Sequence, residues 1–416
     1  MKKKNKLVLV EAEMLGPKGH FLNNLIDTTN YFKGKLKIYW ILNKKFDDEG
    51  TYMPKETRIT KIIFTNYFKR KNNKILYIVF EIYFFLINLF NIFFFSLHFF
   101  KKKEFINYFF ALKSNYFILP KYFSSFYKKY KLLNLNRNDH IFFPTARRKD
   151  MSLINFLIKI DQKHPKFHIR VMMPPNDKFK DFFYYLKEIQ NQLKNKTAFV
   201  YLWSDYNYRL FLKKMKSEKG IFKSNIPWSF YNRKFKKNNH VLGYMGDARS
   251  SRGFQYLPKI IGILERKKVN FKYLIQFSNI SEDLIETRKK LYDLSKKNKR
   301  IKIVEKYLDY QEYLNLLKKI DIMPILHNSK EINIVTSGTM YSCIPYETPL
   351  IIPKNTTFMT EILKHKSYEK AENINDFVNK IIKISQNYKF YLKNIKKNSL
   401  ILKKILKNDA LKKNII

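Results

Sequence analysis

A single cysteine, Cys343, stands in a chain of 416 residues, which excludes an internal disulfide and a thiolate metal cluster and fits a reducing compartment. Glycine is scarce, at ten residues, and no Walker-type phosphate loop or Gly-x-Ser-x-Gly nucleophile elbow appears, so P-loop and α/β-hydrolase chemistry lack support. The eight histidines are scattered. His164 and His168 have helical spacing, but Pro165 argues against a two-His metal face. Acidic residues are outnumbered: 82 Lys and Arg against 34 Asp and Glu leave a net charge of +48, which excludes an acidic solvating protein and invites anionic partners. Lys, Asn, Ile, Phe and Tyr crowd every part of the sequence, as A/T-rich codons would impose, so much of that basicity is compositional background. What is plentiful is core material, 45% hydrophobic and 17% aromatic, enough for two or three domains at roughly 150 residues each.

The amino-terminal MKKKNKLVLVEAE has too short an apolar run for a signal peptide, Leu7 to Val10, before Glu11 and Glu13 interrupt it. It reads as a first β-strand. Residues 75–100, ILYIVFEIYFFLINLFNIFFFSLHFF, lie between basic runs, and as a helix they would cover roughly 39 Å, long enough for a bilayer core. Glu81, Asn88, Asn91 and His98 fall within one arc of roughly 100°, a polar stripe that suits a packed or interfacial helix. A domain helix, a membrane-surface helix and a span all remain open, and a surface helix would use the flanking lysines on anionic headgroups.

Strands and helices alternate, the mark of parallel α/β sheets. Strands are expected at 6–10, 36–41, 59–64, 140–143, 168–172 and 198–202, with helices at 151–160, 178–193 and 205–216. The alternation restarts after a polar stretch, YNRKFKKNNH. Strands are then expected at 241–245, 271–277, 301–304, 322–326 and 350–352, with helices at 253–266, 281–294, 310–319 and 338–345. The division is therefore 1–231, a first Rossmann-like domain; 232–240, a linker; 241–390, a second Rossmann-like domain; and 391–416, a helical, Lys-rich tail.

Two loops carry chemistry. In VLGYMGDARSSRGFQYLP an apolar strand runs into a loop holding Gly246, Arg249, Arg252 and Gly253, and then into a helix. Unpaired amides and two guanidinium groups there suit a diphosphate, although a tight turn with solvated arginines explains the same residues. In NIVTSGTMYSCIPYETPLIIP Thr336, Ser337, Gly338 and Thr339 lie at a helix start, where they either cap the helix or receive phosphate oxygens. In the first half, the strand LVLVEAE leads into Gly16, Lys18, Gly19 and His20, and Gly19 permits close backbone approach to a ligand. His20 either transfers a proton or caps and packs. Arg147 and Arg148 follow another strand and either reach the same cleft or form a solvated turn.

The order GYMGDARSSRGFQYLPKII, IKIVEKYLDYQEYLNLLKKIDIMPIL and TSGTMYSCIPYETPLIIPKNTTFMTEIL resembles the donor half of GT-B glycosyltransferases, specifically glycosyltransferase family four and its neighbours, over about residues 241–365. That group's loop reads Gly-Arg-Leu, three residues, Lys-Gly. Arg252 matches the Lys, while Asp247 stands at the Arg and Arg249 lies two residues further on. At the group's Glu-x7-Glu pair this chain carries Ile334 and Ser342, and Glu347 replaces the Gly of Gly-x-Pro. A serine bonds one ribose hydroxyl where a carboxylate takes two.

The resemblance implies two Rossmann-like domains in GT-B arrangement, an interdomain cleft, and a tail that crosses back to the first domain. It also implies transfer from a nucleotide-sugar donor to a glycan or lipid-linked acceptor, as in surface polysaccharide or lipopolysaccharide synthesis, at the cytoplasmic face of the plasma membrane. The donor would sit on Gly246, Arg249, Arg252, Gly253, Thr336 to Thr339 and Ser342; the acceptor side would be Gly16, Lys18, Gly19, His20, Arg147 and Arg148. No cofactor is expected, since the nucleotide-sugar is a substrate. No metal is expected either, because Asp47-Asp48-Glu49 precedes a glycine in a turn and does not follow an apolar strand as the Asp-x-Asp of GT-A enzymes does. Two other readings stand beside it. One is a non-catalytic GT-B-like binding protein at the membrane; the other is a basic nucleic-acid binder, disfavoured because lysine is spread without a dense arm or recognised motif.

Overall fold

The computed structural model describes residues 4–12, 14, 20–46, 57–62, 120–172, 180–328, 337–357, 359 and 361–416. The aromatic segment 75–100, the loop residues Gly16, Lys18 and Gly19, and Thr336 lie outside the described residues. So do the side chains of His20 and Arg148.

The first sheet contains β1 (Lys6–Glu11), β2 (Lys37–Asn43), β3 (Arg58–Ile62), β4 (His140–Phe143), β5 (Lys166–Val171), β6 (Ala198–Leu202) and β7 (Ile221–Lys223). Their order is β3-β2-β1-β4-β5-β6-β7, and every pairing is parallel. Around it run α1 (His20–Phe32), α2 (Pro120–Leu133), α3 (Arg148–Ile160), α4 (Lys180–Glu188), α5 (Gln190–Lys194) and α6 (Asp205–Met215). Strands such as AFVYL are buried along their whole length, as expected for a parallel sheet covered on both faces.

The second sheet contains β8 (Val241–Ala248), β9 (Lys272–Ile280), β10 (Ile301–Glu305), β11 (Met323–Pro324), β12 (Leu350–Pro353) and β13 (Tyr368–Ala371). Two parallel three-stranded ladders, β10-β9-β8 and β11-β12-β13, meet at a parallel bridge between Leu242 and Ile322. Together they make the order β10-β9-β8-β11-β12-β13, the doubly wound 3-2-1-4-5-6 arrangement, which reverses direction between β8 and β11. Its helices are α7 (Leu257–Arg266), α8 (Ile285–Lys297), α9 (Tyr310–Lys319), α10 (Gly338–Cys343), α11 (Ile374–Gln386) and α12 (Tyr388–Lys407), followed by α13 (Ala410–Ile415).

Several elements differ from the sequence reading. The single helix expected over 178–193 is divided at Ile189 into α4 and α5, and the division places both Ile189 and Leu193 in the core. The helix expected from Gly253 starts instead at Leu257, with Pro258 in its first turn, where a missing N–H costs nothing. Two 3-10 turns, Ser250–Arg252 and Phe254–Tyr256, precede it.

The polar stretch before His240 is less free than its composition suggests. Arg233 is almost fully buried. Its guanidinium donates to the carbonyls of Leu317 and Lys318 at the carboxyl end of α9 and to Thr348 Oγ1, at 2.8–3.1 Å. It also pairs with buried Asp321 at 3.3 Å. A cation at a helix carboxyl end satisfies carbonyls that the helix itself leaves open.

After α12 the chain returns to the first domain. Leu411 and Ile415 of α13 join the core formed by Leu7, Leu9 and Trp40. Asp409 caps α13 and accepts from Ser224 Oγ (2.7 Å) and the Asn225 amide (2.9 Å). Among the described residues no helix is long and apolar enough to cross a membrane.

Candidate functional site

Ligands of doubly wound sheets bind outside the carboxyl ends of the strands, where the strand order reverses. In the second sheet that place is the β8→α7 loop and the segment after β11. Gly246 has φ +130° there, and a Cβ would lie 2.9 Å from Arg252 Nη1. Glycine therefore lets the guanidinium lie over the strand end. Gly253, at φ +70°, approaches the Leu326 carbonyl so closely that a Cβ would sit 2.3 Å from its oxygen. The Asn328 amide donates to the Ser251 carbonyl at 3.1 Å, which ties the two loops together across the reversal point.

Asp247 holds this loop's charges. One oxygen pairs with Arg249 Nη2 at 2.8 Å and lies 4.0 Å from Arg252 Nη1, and the other accepts from Ser278 Oγ at 3.0 Å. Arg249 is drawn back onto that carboxylate and is more than half exposed, so the pair is a weak surface ion pair that an anion can displace. Arg252 is two-thirds covered, and its pairing with Asp247 at 4.0 Å is looser than that of Arg249.

The start of α10 converges on the same strand end. Thr339 Oγ1 donates to the Met245 carbonyl at 3.4 Å, one residue before Gly246. Among the described residues nothing lies within 4 Å of a would-be Cβ at Gly338. Ser337 is already engaged, because its Oγ accepts from the Met340 amide at 3.2 Å. Ser342 is fully buried; its Oγ pairs with Tyr313 Oη at 2.8 Å and donates to the Thr339 carbonyl at 2.9 Å. The structure therefore brings Gly246, Arg249, Arg252, Gly253, Gly338 and Thr339 together and turns Ser342 into the core.

His327 escaped the sequence reading. It adjoins Arg252, and burial, with that cation second, pushes its imidazole down to about 4. A neutral imidazole thus stands beside the guanidinium at physiological pH. A histidine directly after an apolar strand is the signal that was present. His327 also lines a cleft of about 1050 Å³, whose walls include Ser250, Tyr256, Lys259, Lys354 and Asn373. That cleft extends the site along the carboxyl ends of β11, β12 and β13.

On the first domain, Arg147 is the residue before α3, its amide donating to Asp150 Oδ2 at 2.8 Å, and its side chain is exposed. Lys223, at the end of β7, pairs with Asp205 at 2.5 Å and with Glu361 of the second domain at 3.1 Å. Glu347 lies elsewhere: it accepts the Arg233 amide at 2.8 Å, and burial raises its carboxyl above the ordinary range. Among the described residues no cluster of three His, Cys, Asp or Glu side chains is placed to hold a metal ion.

No protein-family model matches the chain. "Uncharacterized protein MG422" of Mycoplasma genitalium is 24% identical over 263 residues, 58% of this chain and 29% of that protein, so the chain spans under a third of the length of that relative. Solved structures align over nearly the whole chain. A point mutant of S. aureus TarM, in complex with fondaparinux, alpha-GlcNAc-glycerol and UDP, matches at TM-score 0.63 and 11% identity over 99% of this chain and 98% of its own. The fold is that of the GT-B glycosyltransferases. Sucrose-phosphate synthase from Thermosynechococcus elongatus matches at TM-score 0.58 and 10% identity, covering 97% and 95% of the two chains. Anabaena HepE, in complex with UDP and glucose, matches at 0.56 and 10%, covering 95% and 94%. Within the GT-B arrangement, the β8→α7 loop and the start of α10 belong to the carboxyl-terminal Rossmann-like domain.

Proposed function

We propose that this chain transfers a sugar from a nucleotide-sugar donor to a glycan or lipid-linked acceptor, without a metal ion, in the synthesis of a surface polysaccharide or lipopolysaccharide at the cytoplasmic face of the plasma membrane. The observation that carries the reading is the convergence of Arg252, the glycine-shaped loop and Thr339 at the start of α10 on one strand end at the reversal point of the second sheet. The resemblance to GT-B enzymes implies a donor diphosphate at that place. The donor diphosphate would displace Arg249 from Asp247, and Arg249 and Arg252 would offset the charge that builds on the departing nucleotide diphosphate. The first-domain loop from Gly16 to His20, with Arg147 and Arg148, would close the acceptor side. No protein nucleophile is assigned, since retaining relatives are read as attacking on the face the leaving group departs from.

Ligand-detected NMR against a panel of nucleotide sugars tests the donor, and product analysis with the ligand that binds tests the transfer. Arg252→Ala should weaken nucleotide-diphosphate binding by about tenfold or more, the loss expected for a charge-assisted hydrogen bond, and should leave the melting temperature nearly unchanged. Unaltered affinity would remove Arg252 from the site. The burial of Ser342 where the family carries a carboxylate favours a second reading, a GT-B-like protein that binds a glycan or nucleotide without turnover. Binding with neither hydrolysis nor transfer would select it.

A further inference from the structure

The segment leading to the second domain runs antiparallel along α12. Lys403 Nζ lies 5.9 Å from the centre of the Phe230 ring, Lys396 Nζ donates to Asn232 Oδ1 at 3.0 Å, and the Phe235 and Tyr388 rings stack at 6.4 Å. Twenty residues of helix make this face about 30 Å long. At about 100° per residue, all seven lysines of α12, from Lys389 to Lys407, fall with Leu400 and Phe390 inside an arc of roughly 140°. The opposite side is buried through Tyr391, Ile395, Leu402 and Leu406.

Neither α12 nor residues 230–240 contain an Asp or Glu. Two buried carboxylates approach from beneath: Asp321 takes Lys236 at 3.2 Å and Glu347 takes Lys396 at 3.8 Å. The outer surface keeps Lys234, Lys237 and the remaining lysines of α12. Among them, apolar groups stand out into solvent: Leu400 is 65% exposed, Phe390 52% and Phe235 51%. Phe235 and Phe390 line one shallow hollow with Lys237, Lys389 and Lys393.

Lysines alone would be a solvated face. Lysines interleaved with a projecting leucine and two projecting phenylalanines, with no surface carboxylate, match an anionic surface that has an apolar layer beneath its charges. Nucleic acid supplies the charge without that layer, and Leu400 offers a base nothing on which to stack. We propose that the face formed by residues 230–237 and α12 lies on an anionic lipid bilayer, its lysines at the headgroups and Phe235, Phe390 and Leu400 in the acyl boundary. This contact is separate from any made by residues 75–100, and it does not rest on the sugar-transfer reading.

The test uses the full chain and vesicles of phosphatidylcholine with about 40 mol % phosphatidylglycerol, against pure phosphatidylcholine. Co-sedimentation should favour the anionic vesicles and weaken as salt shortens the screening length. Lys393→Glu/Lys397→Glu/Lys404→Glu should reduce binding by at least about tenfold, and Lys289→Glu/Lys290→Glu/Lys297→Glu on α8, with the same change in net charge, should reduce it far less. Because Cys343 is buried, a polarity-sensitive dye can be placed at Leu400→Cys alone, and it should shift to the blue on anionic vesicles. Equal losses in the two lysine variants, no loss in the first, no vesicle binding, or an unshifted dye each overturns the proposal. So does selective loss of binding to single-stranded RNA. Nucleotide-sugar binding in solution by the α12 variant should be unchanged, which separates failure here from failure of the donor site.

Discussion

Asp27 shows how one side chain can make stability depend on pH. It sits on α1, buried, and accepts a hydrogen bond from Tyr310 Oη of the second domain at 2.7 Å. Burial raises its carboxyl to about 7, against the smaller opposing effects of the Tyr310 hydroxyl and the Ser229 amide. The folded protein therefore keeps a proton that the unfolded chain releases near pH 4. The stability this group contributes is whole below about pH 4 and declines as pH rises to about 7, by roughly 4 kcal/mol at about 1.4 per unit. Asp27→Asn retains an acceptor for Tyr310 and removes the titration. Denaturant unfolding should find the variant's advantage over the parent larger at pH 8 than at pH 5, where only about a third of the decline has occurred. A constant difference at both values would mean that Asp27 does not titrate in this range.

Among the elements, α13 is held less by its length than by the residue that caps it. Asp409 accepts from the Leu411 amide, Ser224 Oγ and the Asn225 amide at 2.7–2.9 Å. Its charge also opposes, though it does not outweigh, the burial that lowers the guanidinium of fully buried Arg170 to about 10. Asp409→Ala orphans buried donors and removes a compensating charge, which should cost about 3–5 kcal/mol. Hydrogen exchange should then show α13 unprotected while β8 and β9 keep their protection. Protection of both would mean that the apolar contacts of α13 suffice.

The elements that were legible in the sequence share a cause. HIFF and AFVYL are uninterrupted apolar runs, and β4 and β6 occupy those residues. IFK and YEKA, which form β7 and β13, are edge strands with a neighbour on one side, and they need less apolar content. The turn at Gly246 and Gly253 was legible because glycine after an apolar strand announces a sharp change of backbone direction, and both glycines have positive φ. His327 was not, since its state is set by burial and by the charge of an arginine on another loop. Nor was Arg233, whose flanking lysines and asparagines read as solvated while the carbonyls that bury it lie more than eighty residues away.

Across the whole molecule the two sheets are joined by contacts of different kinds. Tyr310 bonds Asp27, Tyr341 Oη donates to the Ile226 carbonyl at 2.6 Å, Trp203 packs edge-on against Tyr341, and α13 fills a hole in the first core. Only the last is both apolar and inside one domain, so it can be removed without touching the candidate donor site. Deleting residues 409–416 withdraws Leu411 and Ile415 from beside Leu7, Leu9 and Trp40. At the cost of emptying two large aliphatic positions this is about 5 kcal/mol or more, borne by the first domain alone. Arg252, Gly253 and Thr339 rest on the second core, built from β8 to β13, α7 and α11. Urea unfolding followed by far-ultraviolet circular dichroism should change from one transition to two on deletion. Nucleotide-diphosphate binding, followed in the same titration, should outlast the first transition. If binding vanishes with the first transition, the groups that hold the diphosphate depend on the first domain, and the donor site must be sought between the domains and not on the strand ends of the second.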